Sequence, residues 1–162
     1  MRAFDSSHAQ EGEFVNISQE LFDQLLQLRR ENNHFMRMAG IQIDAAEEGK
    51  AQLSVDVTKD HLNPQGTAQG GLLMTMVDAA MASTLIAFNE TIATVDMNYH
   101  FLSAAHLGDH VVCDAWIVKS GKNVIVTQGV LHIGEKLIGN ASATFMRTGR
   151  TFIVEGAEDS NH

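Results

Sequence analysis

Between Lys59 and Lys119 the chain carries no lysine or arginine, and in the middle of that stretch the run Leu72-Leu73-Met74-Thr75-Met76-Val77-Asp78-Ala79-Ala80-Met81-Ala82 holds one carboxylate. Asp78 is the only acid between Asp60 and Glu90. An ionised side chain among apolar neighbours costs free energy unless it is paired. Desolvation also raises its pKa, which suits a general base. Gly70 and Gly71 open the same run. At a helix start their N–H groups lack intrahelical partners and no side chain obstructs them. Such a terminus favours an oxygen that carries or develops negative charge.

The spacing bears on assembly. Eight residues of helix rise about 12 Å, so the Gly70 N–H and the Asp78 carboxylate of one chain are poorly placed to act on one carbonyl group. If both serve one reaction, two chains supply them. A two-fold pair with antiparallel central helices brings the glycine end of one chain beside Asp78 of the other.

The elements that must position these groups follow from periodicity. A first helix starts near Asn16 or Ser18, with Leu21, Phe22, Leu25, Leu26 and Leu28 as its apolar stripe and Arg29 and Arg30 at its dipole-favoured end. Ile41 to Asp44 and Ala51 to Val57 read as strands. A long helix spans about Gly70 to Phe88. The segment Thr91 to Leu102 alternates, with Val95, Met97, Tyr99 and Phe101 on one face and Thr94, Asp96, Asn98 and His100 on the other. Three more strands near 110–119, 123–133 and 136–147 are joined by hairpin-like turns. A helix apolar nearly all round must be enclosed. An antiparallel sheet wrapped about it does so, giving an α+β domain with an extra N-terminal helix. The domain runs over 14–152, between a polar N-terminus, 1–13, and an acidic tail, 153–162, both expected to be flexible.

With 162 residues, 44% of them apolar and 19% charged, the chain has the composition of one globular domain. A formal charge of −9 argues against nucleic acid or an anionic membrane as partner. Cys113 is the single cysteine, which fits a reducing cytoplasm, and Met1 to Glu13 shows no secretory signal. The eight histidines show no ligand spacing, so neither a metal nor another cofactor is expected. No Gly-x-Ser-x-Gly elbow is present.

The stretch His61 to Ala82, with Thr94-Val95-Asp96-Met97-Asn98, Leu107-Gly108-Asp109, Gly121-Lys122 and, upstream, Phe35 and Gly40, resembles the hotdog-fold acyl-CoA thioesterases of the PaaI-like kind. These are related to the 4-hydroxybenzoyl-CoA thioesterases and mammalian acyl-CoA thioesterase 13. The resemblance covers roughly residues 33 to 148. It implies a hotdog fold and hydrolysis of acyl-CoA to free acid and coenzyme A. It also implies a homodimer or homotetramer with sites at the dimer interface. By the same resemblance Asn63 contacts the thioester region and Gly70 donates its N–H to the carbonyl oxygen. Asp78 of the facing subunit activates water or attacks directly, and Thr94 helps to hold that water. Gln69 replaces the family's histidine, keeping a donor and an acceptor but losing the ability to become cationic. Gln69 and Gly71 are expected to line the substrate site, and Lys119, Lys122 and Arg147 to reach the phosphates of coenzyme A. The substitution at Gln69 keeps open a non-catalytic acyl-CoA-binding or sensing module. A hotdog dehydratase is disfavoured, because no motif places a histidine with an acid.

Overall fold

The computed structural model describes residues 17–153. The stretch 1–13 and the tail from 154 onward lie outside the described residues. Helix α1, Gln19–Asn32, starts at Ser18, whose hydroxyl accepts from the Leu21 N–H at 3.2 Å. Leu21 and Leu25 are buried and cluster with Ile86. The Arg30 guanidinium donates to the Ile43 carbonyl at 3.0 Å, tying the end of the helix to the sheet. A short helix α2, His34–Met38, ends before Gly40, whose φ of 67° is the left-handed turn a glycine supplies at low cost.

Six strands form one antiparallel sheet: β1 Gln42–Glu47, β2 Lys50–Asp56, β3 Glu90–Phe101, β4 His110–Ser120, β5 Val124–Ile133 and β6 Lys136–Thr151. Their order is β1-β2-β4-β5-β6-β3. The meander therefore sits in the middle, and β3, reached from the central helix, closes the row as a free edge.

That central helix, α3, runs over Gly70–Ser83 and packs across β2, β4 and β5. It is shorter than its hydropathy suggests. The Ser83 hydroxyl donates to the Ala79 carbonyl at 2.7 Å and the Thr84 hydroxyl to the Met81 carbonyl at 2.6 Å. These side-chain bonds compete with the helical ladder, and the chain turns through a 3₁₀ segment, Ile86–Phe88, instead of extending the helix. The segment from Gly70 to Phe88 is long and apolar enough to cross a membrane, but most of it lies inside the protein. Close packing of helix on sheet rests on Gly129 of β5. A Cβ there would stand 2.7 Å from Cγ2 of Val77.

The enclosure is one-sided. Met76, Val77, Ala80 and Met81 face the sheet and are buried, whereas Gly71 and Met74 are exposed and Thr75, Asp78 and Ala82 are only partly covered. These five positions recur at helical spacing and form one stripe. Asp78 thus sits on the open side of the helix rather than deep in the core.

Strand β3 departs from simple alternation. Its pairing with β6 shifts between Thr94 and Asp96, where Thr94 opposes Phe145 and Asp96 opposes Thr144, so Val95 is the extra residue of a bulge. Phe145 is buried, and its partner Thr94 points to the helix side together with Met97 and Tyr99. Strict period two would place Thr94 on the outer face with Asp96; the inserted residue reverses it. Val95 is left 58% exposed beside the free edge.

Candidate active site

The loop between β2 and α3 is organised by its own polar groups. Asn63 Oδ1 accepts from the N–H groups of Gln65, at 2.9 Å, and Thr67, at 3.2 Å, while its Nδ2 donates to the Thr67 hydroxyl at 2.9 Å. Gly66, at φ 79°, lets the turn close. The Gln69 N–H donates to the His61 carbonyl at 2.7 Å, and that of Ala68 to Ala105 at 2.8 Å. Asn63 therefore serves the turn with most of its amide and keeps one amide hydrogen uncommitted.

Gln69 is the N-cap of α3, exposed, and its side chain makes no capping bond. The first N–H groups of the helix, those of Gly70 and Gly71, face out from this end. The Phe101 ring approaches to 3.0 Å from where a Cβ of Gly70 would lie, so the aromatic end of β3 covers one side of the glycine turn. Beside the turn opens a groove of about 830 Å³, with Gln69, Gly71 and Thr75 on one wall and Phe35, Met38 and His61 on the other.

Asp78 and Thr94 meet on the open side of the central helix, beside the edge strand β3. The Thr94 hydroxyl donates to Asp78 Oδ1 at 3.3 Å. Burial raises the Asp78 pKa above the ordinary carboxylate value, and the Thr94 hydrogen bond and the charge of Arg29 pull it partly back. Arg29 is a residue that sequence reasoning missed as part of the site. It was legible only as a favourable charge at the end of α1, and the docking of α1 on the 3₁₀ segment that follows α3 brings that charge to bear on Asp78. Burial lowers the Arg29 pKa, and the Asp78 charge raises it.

Lys119 and Lys122 are exposed at the β4–β5 hairpin. That hairpin lies at the end of the sheet where β3 begins and α3 finishes, opposite to the Gly70 turn. One chain thus separates the glycine turn from both lysines. Arg147, expected among the phosphate ligands, is committed elsewhere. It pairs with Glu90 at 2.8 Å, donates to Ser120 and Gly121, and lies 4.2 Å above the Phe88 ring. Among the described residues no group of three His, Cys, Asp or Glu side chains gathers as a metal site. His132 pairs with Asp114 at 2.9 Å and His110 with Asp56 at 2.7 Å. Cys113 is fully buried, and burial raises its thiol pKa.

An antiparallel six-stranded sheet packed on one central helix, with a carboxylate on the helix's open stripe and a glycine turn at its start, defines a hotdog-fold protein. The chain belongs to the thioesterase superfamily, whose family model matches residues 65–139. Human acyl-coenzyme A thioesterase 13 is 29% identical over 115 residues, which are 70% of this chain and 82% of the human one. A Pseudomonas aeruginosa relative is 31% identical over 96 residues, 57% of this chain and 72% of that one. Among solved structures, thioesterase superfamily member 2 of Mus musculus superposes with a TM-score of 0.70 at 28% identity, covering 80% of this chain and 98% of its own. The E. coli PaaI protein from the phenylacetic acid degradation operon superposes at 0.78 and 23% identity, covering 82% and 96%.

Proposed function

We propose that the protein hydrolyses acyl-CoA thioesters at sites shared between two subunits joined along β3. The family supports thioester hydrolysis as the reaction class, and the human relative's name supports acyl-CoA as the substrate. The observation that carries the reading is the Thr94–Asp78 pair on the open stripe of α3, beside the free edge of the sheet and about two turns from the Gly70 turn. A two-fold axis beside β3 sets the strands of two chains antiparallel. Each chain's glycine turn then faces its partner's Asp78, and the partner's Lys119 and Lys122 come to the same end as that turn, within reach of the coenzyme's phosphates.

In this reading the Gly70 N–H donates to the thioester carbonyl oxygen, with the Gly71 turn keeping the approach clear, and the free amide hydrogen of Asn63 and the Gln69 side chain orient the thioester. The Asp78 carboxylate of the facing subunit takes a proton from water as the water oxygen bonds to the carbonyl carbon. Thr94 fixes Oδ1, which leaves Oδ2 for the water. Collapse of the tetrahedral intermediate breaks the carbon–sulfur bond, and the proton held by Asp78 passes to the departing thiolate. The products are a free acid and coenzyme A. A cytoplasmic location accords with the lone, buried Cys113.

Thiol release across short, medium, long and aryl acyl-CoAs tests the reading, with Asp78→Asn as control. Turnover that depends on Asp78 supports it. Tight binding of intact acyl-CoA without consumption replaces it with the sensing module that Gln69 keeps open.

A further inference from the structure

Where α1 packs on the 3₁₀ segment that follows α3 lies a second cavity of about 330 Å³. Leu25, Leu28, Leu85, Ile86 and Phe152 give it apolar walls, and Arg29 stands among them. Leu85 lies two residues beyond the end of α3, so the cavity sits past the C-terminal end of that helix, and Asp78 itself does not line it.

Three of the five polar residues that line this cavity are committed. Glu90 accepts from Arg147 at 2.8 Å and from the Gly149 N–H at 2.8 Å. Asn89 is tied to Ile153 through both its amide oxygen and its amide nitrogen, and Asn33 caps α2. Among the described residues the guanidinium of Arg29 has no hydrogen bond or ion pair. It is a partly buried cation on which the charge of Asp78 acts. A group of this kind is stabilised by an anion that enters the cavity.

We propose that this cavity receives the far end of the acyl group and that Arg29 selects acyl chains ending in a carboxylate. The inference rests on the hydrolysis reading for the position of the thioester at Asp78. The apolar walls suit a methylene chain, and the single guanidinium suits one terminal anion, to which it can donate two parallel hydrogen bonds. A polyphosphate end fits poorly, because it would place several negative charges beside Glu90 against one cation.

Two pairs of substrates test this: adipyl-CoA against hexanoyl-CoA, and suberyl-CoA against octanoyl-CoA, with wild type, Arg29→Gln and Arg29→Lys. Each pair shares the same reacting centre, so any effect of Arg29 on Asp78 cancels in the ratio of kcat/KM. The wild type is expected to favour the carboxylate-ended chain by about tenfold or more. Arg29→Gln brings that ratio to unity or below, and Arg29→Lys restores part of it. A wild-type ratio of one or less overturns the proposal. So does an Arg29→Gln protein that loses both activities equally, which assigns the guanidinium to the coenzyme's phosphates or to folding. If Arg29→Gln does not fold, the wild-type and Arg29→Lys ratios decide by the same criteria. Coenzyme A thioethers with the same two chain ends, titrated into wild type by calorimetry, separate the two readings. Discrimination between the thioethers without thioester turnover leaves the cavity assignment standing and removes the hydrolysis. Turnover without discrimination does the reverse.

Discussion

Thr94 Oγ1 donates to Asp78 Oδ1 at 3.3 Å, joining the free-edge strand to the open stripe of the central helix. The bond opposes the effect of burial, which raises the carboxylate pKa. In the proposed mechanism Asp78 acts as a base in its anionic form, so kcat/KM is expected to rise with pH through a pKa above the ordinary value of about 3.9. Removing the hydroxyl by Thr94→Val takes away a stabiliser of the anion, and the acidic limb of the profile moves to higher pH. Asp78→Asn abolishes the limb and lowers turnover by about 10²- to 10⁴-fold. pH–rate profiles of the three proteins check both outcomes, and an unmoved limb in Thr94→Val counts against the assignment.

The same raised pKa predicts a cost in stability. Because the folded-state pKa lies above the unfolded one, the folded protein binds this proton more firmly. Its contribution is present below the unfolded pKa and is lost as pH rises through the folded pKa. At neutral pH, Asp78→Asn is therefore expected to melt at a higher temperature than wild type, with the difference vanishing in acid. Thermal melts at pH 7 and at about pH 3, below the unfolded pKa, read this directly, and an equal or lower Tm for Asp78→Asn at pH 7 contradicts it.

Shared sites have a stoichiometric signature. In the proposed assembly a Gly70→Val chain and an Asp78→Asn chain are each inactive alone. A mixed dimer holds one intact site, formed by Gly70 of one chain and Asp78 of the other. Equal mixing after reversible dissociation is expected to restore about a quarter of wild-type activity. No recovery in a mixture that light scattering shows to have exchanged subunits places the site within one chain.

Gly129 of β5 marks the closest approach of sheet and helix, with Cγ2 of Val77 2.7 Å from the position of an added Cβ. Both partners sit where little can shift, so Gly129→Ala is expected to destabilise the fold by about 1–3 kcal/mol. Val77→Ala removes the opposing methyl groups. The double variant should then be more stable than the sum of the two single effects predicts, as denaturant unfolding of all four proteins would show.

Much of this architecture was written locally. The N-cap at Ser18, the polar turns and the alternation of apolar residues depend on neighbours within a few positions, and the six strands and two longer helices appear where those patterns place them. The end of α3 and the facing of Thr94 differ from that pattern for local reasons that hydropathy does not register. Ser83 and Thr84 divert hydrogen bonds at the end of α3, and the bulge at Val95 turns Thr94 toward the helix. The apolar run around Asp78 shows that the helix is enclosed, but not which stripe stays open.

The amino-acid sequence by itself determined the fold class, the glycine turn, the lone carboxylate and the distance between them along one helix, because each is a matter of residue type and rise per residue. Tertiary structure alone decided that Thr94 and Asp78 touch, that Arg147 is locked to Glu90 and Phe88, and that Arg29 brings a positive charge toward Asp78. Those three relationships join residues 16, 57 and 49 positions apart in the chain, counted from Thr94 to Asp78, Arg147 to Glu90 and Asp78 to Arg29. Contacts at such separations depend on how whole elements dock, a long-range choice that local propensity does not encode.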